Sequence, residues 1–244
     1  MLVRQDKKLS VVAILPMRHS SERVPGKNYR PLAGKPLFQH VLDTLLTVDY
    51  IDLVVIDTDS PTVAEIVEAR YPDVRILDRP AHLRSGDTPM NDVLLNTVER
   101  EPADLYVQTH STNPFLTRDS LMRAFEMYRD GDCDSVFSVT PYQARFWSKQ
   151  LRPINHDPAV LERTQDLEPM YLENSCLYVF TAEGLRQNKN RIGSNPSVIE
   201  VEGVEAIDID FEPDFDLANA IAESRLTGPS TSPALVSLST GTEE

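Results

Sequence analysis

The chain has 244 residues, 38 of them acidic and 24 basic, for a formal net charge of −14. That excess of negative charge disfavours nucleic acid as a partner and offers nothing to an anionic membrane, while the length is enough for one large α/β domain with a full core. No apolar run approaches the ~18 residues of a membrane span.

Met1–Lys8 is too short and too charged for a signal peptide, and Cys133 and Cys176 lack metal-like spacing, so free core thiols in a cytoplasmic protein are expected. An apolar run predicts a buried strand over Ser10–Leu15, ended by Pro16. Arg18, Ser21, Arg23 and Lys27 follow in one loop, with Asn28 behind them. Cations, a hydroxyl and backbone N–H groups beyond a strand suit a phosphate, although a solvated basic loop has the same composition. Leu37, Val41, Leu42 and Leu45 predict a helix over Pro36–Val48, with Pro36 in its first turn. A strand over Leu53–Ile56, a helix over Pro61–Tyr71 and a strand over Val74–Leu77 come next. They are followed by a helix over Met90–Glu99, a strand over Leu105–Gln108, a helix over Arg118–Tyr128 and a strand over Ser135–Val139. This alternation predicts an α/β fold, a mostly parallel Rossmann-like sheet flanked by helices, with ligands beyond the carboxyl ends of the strands.

The rhythm breaks at about 140–171, where Tyr142, Phe146, Trp147 and several prolines suggest an inserted arm. Strands are expected again at Leu177–Phe180, Val198–Glu202 and Ala206–Asp210, and a last helix at Pro213–Arg225 with Asp214 in its first turn. The expected organisation is one domain over 1–226 carrying the arm, then a flexible Ser/Thr/Pro/Gly-rich tail over 227–244.

Asp208 and Asp210 stand two apart on the strand expected there, so both carboxylates face one side. Mg²⁺ would relieve their repulsion and commonly binds carboxylates together with substrate phosphates. The pairs Asp57/Asp59, Asp132/Asp134 and Asp214/Asp216 share the spacing, and a pair of exposed acids explains any of them equally well.

The segment from Leu15 to Asn28, Leu-Pro-Met-Arg-His-Ser-Ser-Glu-Arg-Val-Pro-Gly-Lys-Asn, resembles the nucleotide-binding signature of the sugar-acid cytidylyltransferases. That family includes the acylneuraminate (CMP-sialic acid) synthetases and, more distantly, the Kdo cytidylyltransferases. His19-Ser20 replaces a small pair and Glu22 a common Lys, while Asn28 favours the acylneuraminate branch. The resemblance implies a fold of nucleotide-diphospho-sugar transferase type. It also implies that Arg18, Ser21, Arg23, Lys27 and Asn28 bind the nucleotide, with Arg18 and Lys27 also catalytic.

Arg79 to Thr88 resembles an element near the cytosine and triphosphate, which adds Arg79, Asp87 and Thr88 to the nucleotide set. As a bare loop, Asp87 or Thr88 would cap the next helix, and Arg79 would serve phosphate or structure. Ile207–Asp210 resembles the family's C-terminal metal motif and places Asp208 and Asp210 first among the acidic pairs, as metal ligands and catalytic groups. Gln108 aligns with a sugar-acid contact; His110, nearby, reads as a ligand contact or as a satisfied loop histidine. Lys149, Arg163, Asn174 and Tyr178 fall where the family has its arm and acceptor contacts, and Leu172 replaces an expected Arg.

The resemblance thus implies an enzyme that joins CTP to a 2-keto sugar acid, giving a CMP-sugar and pyrophosphate, with Mg²⁺ as cofactor. The assembly it implies is a homodimer whose arms cross, and the replacement at Leu172 disfavours N-acetylneuraminate as the best acceptor. Two other readings are a metal-dependent glycosyltransferase of similar fold and a non-catalytic nucleotide-binding relative. Walker and dinucleotide glycine motifs are absent from the sequence.

Overall fold

A short hairpin of β1 (Leu2–Arg4) and β2 (Lys7–Leu9) turns at Gln5 and Asp6 and delivers the chain into β3 (Val11–Met17). Every residue of β3 is buried, which is the pattern of a strand covered on both faces. The computed structural model describes residues 1–227; apart from Thr227, the tail expected over 227–244 lies outside the described residues.

A second hairpin, β4 (Pro31–Leu32) and β5 (Lys35–Pro36), precedes α1 (Leu37–Leu46). The chain then alternates through β6 (Leu53–Thr58), α2 (Pro61–Arg70), β7 (Arg75–Asp78), α3 (Met90–Arg100), β8 (Leu105–Thr109) and α4 (Arg118–Asp130). Ser60 and Thr117 cap α2 and α4 by accepting from the N–H groups of Val63 and Ser120. The remaining elements are β9 (Ser135–Tyr142), β10 (Met170–Phe180), α5 (Ala182–Asn188), β11 (Pro196–Glu200) and α6 (Glu212–Thr227).

Seven strands form the central sheet in the order β11-β9-β10-β8-β3-β6-β7. β10 alone among them runs antiparallel to its neighbours, β8 and β9. Its first half therefore projects past Thr109 at the same sheet edge where the parallel strands end. Glu173 and Tyr178 flank a register break in which Ser175 takes a φ of 59°, a bulge that re-aims this side chain.

Apolar clusters cover both faces of the sheet. Phe38, Leu42 and Phe125 belong to the larger one, and Leu94, Tyr106 and Phe180 to the other. Cys133 and Cys176 are buried free thiols, and burial pushes Cys176 up to about 12. Among the described residues no helix is long and apolar enough to cross a membrane.

Two local expectations need correction. Residues 206–210 are not a strand: a short 3-10 turn over Gly203–Ala206 leads into an extended loop. Alternation there has another source, since the Ile209 N–H donates to the Thr112 carbonyl at 2.9 Å and the Ile209 side chain is fully buried. The arm is narrower than 140–171, because β9 continues to Tyr142 and β10 begins at Met170. Between them the chain is irregular, with one bridge, Trp147 to Pro153, and a 3-10 turn over Thr164–Asp166.

Candidate active site

Four loops and the bulge of β10 meet at the carboxyl edge of the sheet around a cavity of about 560 Å³. The loop after β3 forms one wall. Its turn depends on Gly26, whose φ is 66° and where an added Cβ would lie 2.9 Å from the Tyr29 ring. The 3-10 turn that follows buries Lys27 and Asn28. Asn28 acts as a strut: its Nδ2 donates to the Arg18 carbonyl at 2.7 Å, and its Oδ1 accepts from Ser111 Oγ at 2.7 Å. Ser21 Oγ accepts from the Val24 N–H at 3.4 Å.

Lys27 Nζ donates to the Ile209 carbonyl at 2.5 Å, and Arg23 pairs with Asp210 at 2.7 Å. Burial lowers the Lys27 pKa, against the raising pull of Asp210 and Asp208. Arg18, Ser21, Arg23, Lys27 and Asn28 all line the cavity, as do Arg79, Asp87, Thr88, Asp208 and Asp210.

Arg79 is buried against Asp57, its Nε 2.5 Å from Oδ1, and its Nη2 donates to the Asp57 carbonyl at 3.0 Å. It holds β6 to the loop after β7 and presents one side to the cavity. Neither Asp87 nor Thr88 caps α3, because Pro89 occupies the cap position without a side-chain hydrogen bond. Their loop rests on the first one: a Cβ added at Gly86 would lie 3.1 Å from Arg18 Nη1.

Each competing acidic pair has at least one carboxylate engaged in structure. Asp57 is held by Arg79 and Thr97, and Asp59 accepts from the His19 N–H at 2.7 Å. Asp134 Oδ2 accepts from the backbone of Ser194 and Asn195, and Asp214 Oδ2 from the N–H groups of Asp210 and Phe211. Asp208 and Asp210 are the members of this set that face the cavity. Asp208 is open to the cavity yet crowded by protein, which raises its pKa, and Asp210 adds to the rise.

The lining carries Arg18, Arg23, Lys27 and Arg79 against Glu22, Asp87, Asp208 and Asp210, a formal balance of zero. A divalent cation suits such a site: two carboxylates would hold it from one side, and its charge would turn a neutral cavity into one that accepts a polyphosphate. Among the described residues no group of three or more His, Cys, Asp or Glu could hold a metal by itself, so the remaining ligands would be substrate oxygens and water.

A second cavity of about 470 Å³ adjoins the first, and Ser175 and Asp208 line both. Asn174 lines it too, braced by Ser138 Oγ at 2.6 Å and Thr140 Oγ1 at 3.0 Å. Gln108 and Tyr178 lie behind the two cavities as buried residues lining neither. Lys149 and Arg163 are exposed on the arm, away from both, and Arg163 is paired with Asp166 at 2.7 Å.

A profile of the family described as Cytidylyltransferase matches residues 12–202. The chain belongs to the cytidylyltransferase family. As such it is a nucleotidyltransferase. The cytidylyltransferase is 28% identical over 234 residues to the CMP-N,N'-diacetyllegionaminic acid synthase of Legionella pneumophila, covering 88% of this chain and 97% of that one. It is 25% identical to the N-acylneuraminate cytidylyltransferase of Streptococcus agalactiae serotype III over 84% of its own length, and spans about half (51%) of that longer protein. Its fold superposes on CMP:2-keto-3-deoxy-manno-octonic acid synthetase complexed with CTP, with a TM-score of 0.67 at 16% identity, covering 88% of this chain and 99% of the other.

Sequence reasoning overlooks Arg191 in this cytidylyltransferase. It follows α5 in a loop of Lys, Asn, Gly and Ser, and no periodicity or motif sets it apart. Its Nη1 donates to Gln108 Oε1 at 2.5 Å, and its guanidinium lies 3.5 Å from the Tyr178 ring centroid. His110, between the two readings left open for it, lines the first cavity with a buried Nε2 that has no partner. Burial, with Arg191 and Lys27 adding, pushes it down to about 3.

Proposed function

We propose that this cytidylyltransferase transfers the cytidylyl group of CTP to a 2-keto sugar acid of the nonulosonic type, releasing pyrophosphate. The observation that carries the reading is the pairing of two cavities at one sheet edge. One is framed by Arg18, Arg23 and Lys27, the other adjoins it, and Asp208 lines both. A triphosphate in the first cavity would present its α-phosphorus at the junction, where an acceptor hydroxyl in the second can attack in line. The named activities of the Legionella and Streptococcus relatives support the same chemistry.

In this reading Arg18, Ser21, Arg23 and Lys27 hold the triphosphate, with Arg79, Asp87 and Thr88 on the nucleotide's other side and Asn28 keeping the loop in place. Catalysis is mainly positioning and charge neutralisation, and no side chain forms a covalent intermediate. Arg18 and Lys27 stabilise the negative charge that grows on the leaving pyrophosphate. Asp208 and Asp210 would hold Mg²⁺, which when bound supplies charge neutralisation at the phosphates. Because Arg23 and Lys27 already lie against Asp210, the same two cations can transfer to phosphate oxygens as the nucleotide enters. Gln108, Asn174 and Tyr178 shape the acceptor side.

The protein works as a cytoplasmic homodimer, with residues 1–226 as one catalytic unit. The arm exposes Trp147 at 49%, Leu151 at 79% and Leu161 at 93%, a density of wet apolar side chains that suits an interface with a second copy. It would carry Lys149 and Arg163 toward the partner's acceptor side. Leu172, half-exposed on the wall of the second cavity, supports an acceptor other than N-acetylneuraminate. The test is incubation with CTP, Mg²⁺ and N-acetylneuraminate, legionaminate, pseudaminate or Kdo, with products read by mass spectrometry. A CMP-sugar from one of the acids is expected; CTP left intact with all four would refute the reading.

A further inference from the structure

The loop after β3 has a back as well as a front. Arg18, Ser20, Lys27 and Asn28 line the first cavity, whereas His19 and Tyr29, their neighbours in the chain, do not. The two rings left outside the cavity meet each other. His19 and Tyr29 stack with centroids 5.5 Å apart and planes 21° from parallel.

Both rings are anchored. Tyr29 ends the 3-10 turn over Lys27–Tyr29 and packs against the larger apolar cluster. His19 Nδ1 shares a hydrogen bond with Ser60 Oγ at 2.9 Å, and the His19 N–H donates to Asp59 Oδ1 at 2.7 Å. Ser60 is itself a fixed point at the end of β6. It is buried, its N–H donates to Thr58 Oγ1 at 3.0 Å, and its Oγ accepts from the Val63 N–H at 3.3 Å as the cap of α2. The imidazole is therefore clamped between a ring backed by the core and the start of a helix.

Arg18 is the residue on which this clamp bears. Among the described residues its guanidinium has no ionic partner and no hydrogen bond, and only its carbonyl is held, by Asn28 Nδ2 at 2.7 Å. A long side chain without partners is aimed by its own backbone, and that backbone stands between Met17, where β3 ends, and the clamped His19. A loop that holds its binding geometry for only a fraction of the time binds more weakly by that fraction. Fixing the loop from behind thus raises affinity without a contact to the ligand.

We propose that His19 is a positioning residue for Arg18: held by Tyr29 and Ser60, it fixes the backbone from which Arg18 reaches the β- and γ-phosphates of the nucleotide. The proposal rests on the proposed function for the presence of a triphosphate in this cavity. His19 touches no part of the ligand and acts through its neighbour alone.

The test is calorimetric titration of CTP and of CMP, each with Mg²⁺ present, into wild type and variants. His19→Ala removes both the stack and the Ser60 hydrogen bond. It should weaken CTP about tenfold, the joint scale of an aromatic pair and a hydrogen bond, and leave CMP within about twofold. His19→Phe, which keeps the stack, and His19→Asn, which keeps a polar atom toward Ser60, should each recover part of the loss while circular dichroism stays native. In an Arg18→Ala background His19→Ala should cost no more than about twofold further, because the residue through which it acts is gone. Unchanged CTP affinity in His19→Ala, equal losses for CTP and CMP, or the full loss repeated in the Arg18→Ala background would each overturn the proposal while leaving the cytidylyl-transfer reading intact. A wild-type protein that does not bind CTP would overturn that reading and the proposal with it.

Discussion

Lys27 Nζ sits 3.9 Å from Asp210 Oδ1 while donating to the Ile209 carbonyl at 2.5 Å. The two residues are far apart in the chain, and their meeting closes one end of the cavity by bringing the first loop against the last. It also sets the Lys27 ammonium against the acidic loop, whose charge it balances.

In the proposed function, replacing Lys27 removes a phosphate ligand, and it loosens that closure. Lys27→Met, similar in length and uncharged, should lower kcat/KM for CTP more than tenfold, since a charge-assisted hydrogen bond is worth about 1.5–3 kcal/mol. Circular dichroism should stay native. Steady-state kinetics at varied CTP check this, and near-normal values would remove Lys27 from the triphosphate site.

Asp57 and Arg79 call for the opposite outcome. Both are almost wholly buried, at 0% and 2% exposure, so removing the acid strands a guanidinium in the core. Asp57→Ala should destabilise the fold by about 3 kcal/mol or more, as broken buried pairs do. Urea unfolding measures it; a loss under about 1 kcal/mol would show that Arg79 finds another partner.

His110 ties stability to pH. Its folded pKa is held down at about 3 against an ordinary 6.5, so between these values the unfolded chain binds a proton that the native imidazole refuses. Stability accordingly falls as pH drops below 6.5, by at most about 1.4 kcal/mol per pH unit. His40, also depressed by burial, acts in the same direction and stays in place as an internal control. His110→Asn should flatten the melting-temperature profile between about pH 6.5 and 4.5 relative to wild type. Parallel profiles would mean that His110 titrates freely.

For the arm, light scattering at micromolar concentration should give twice the chain mass, and Trp147→Asp with Leu161→Asp should shift it to the monomer. A wild-type monomer would leave the exposed aromatic surface without its proposed partner.

Much of this architecture is readable from residue order. The run Val11–Leu15 identifies a central strand because a parallel sheet buries both faces of such a strand, so the sequence shows a continuous apolar stretch; the strand does not end at Pro16 as expected but runs on to Met17. Arg18 to Asn28 is legible because its chemistry is compressed into one loop. Asn28, though, is a strut, a distinction set by Ser111 from beyond a distant strand. Asp208 and Asp210 do share a face, for a reason other than the one expected: a loop pinned through Ile209 to Thr112 alternates just as a strand does. The first half of β10 is hidden in the sequence because Glu173-Asn-Ser175 interrupts its apolar pattern at the bulge. The hairpin Leu2–Leu9 gives no strand signal because its strands are three residues each and mostly charged or exposed. Arg191 has no local signal at all, since its partners Gln108 and Tyr178 come from two other strands.

Pyrophosphate release from CTP in the presence of a sugar-acid acceptor, followed while Mg²⁺ is titrated, bears most directly on the proposed chemistry. Wild type should release pyrophosphate only with both acceptor and metal present. Asp208→Asn and Asp210→Asn should each fall at least a hundredfold while remaining folded, and Asp59→Asn should retain most of the activity. Metal-independent release, or full activity in both Asp208→Asn and Asp210→Asn, would contradict the assignment of this cavity as the site of cytidylyl transfer.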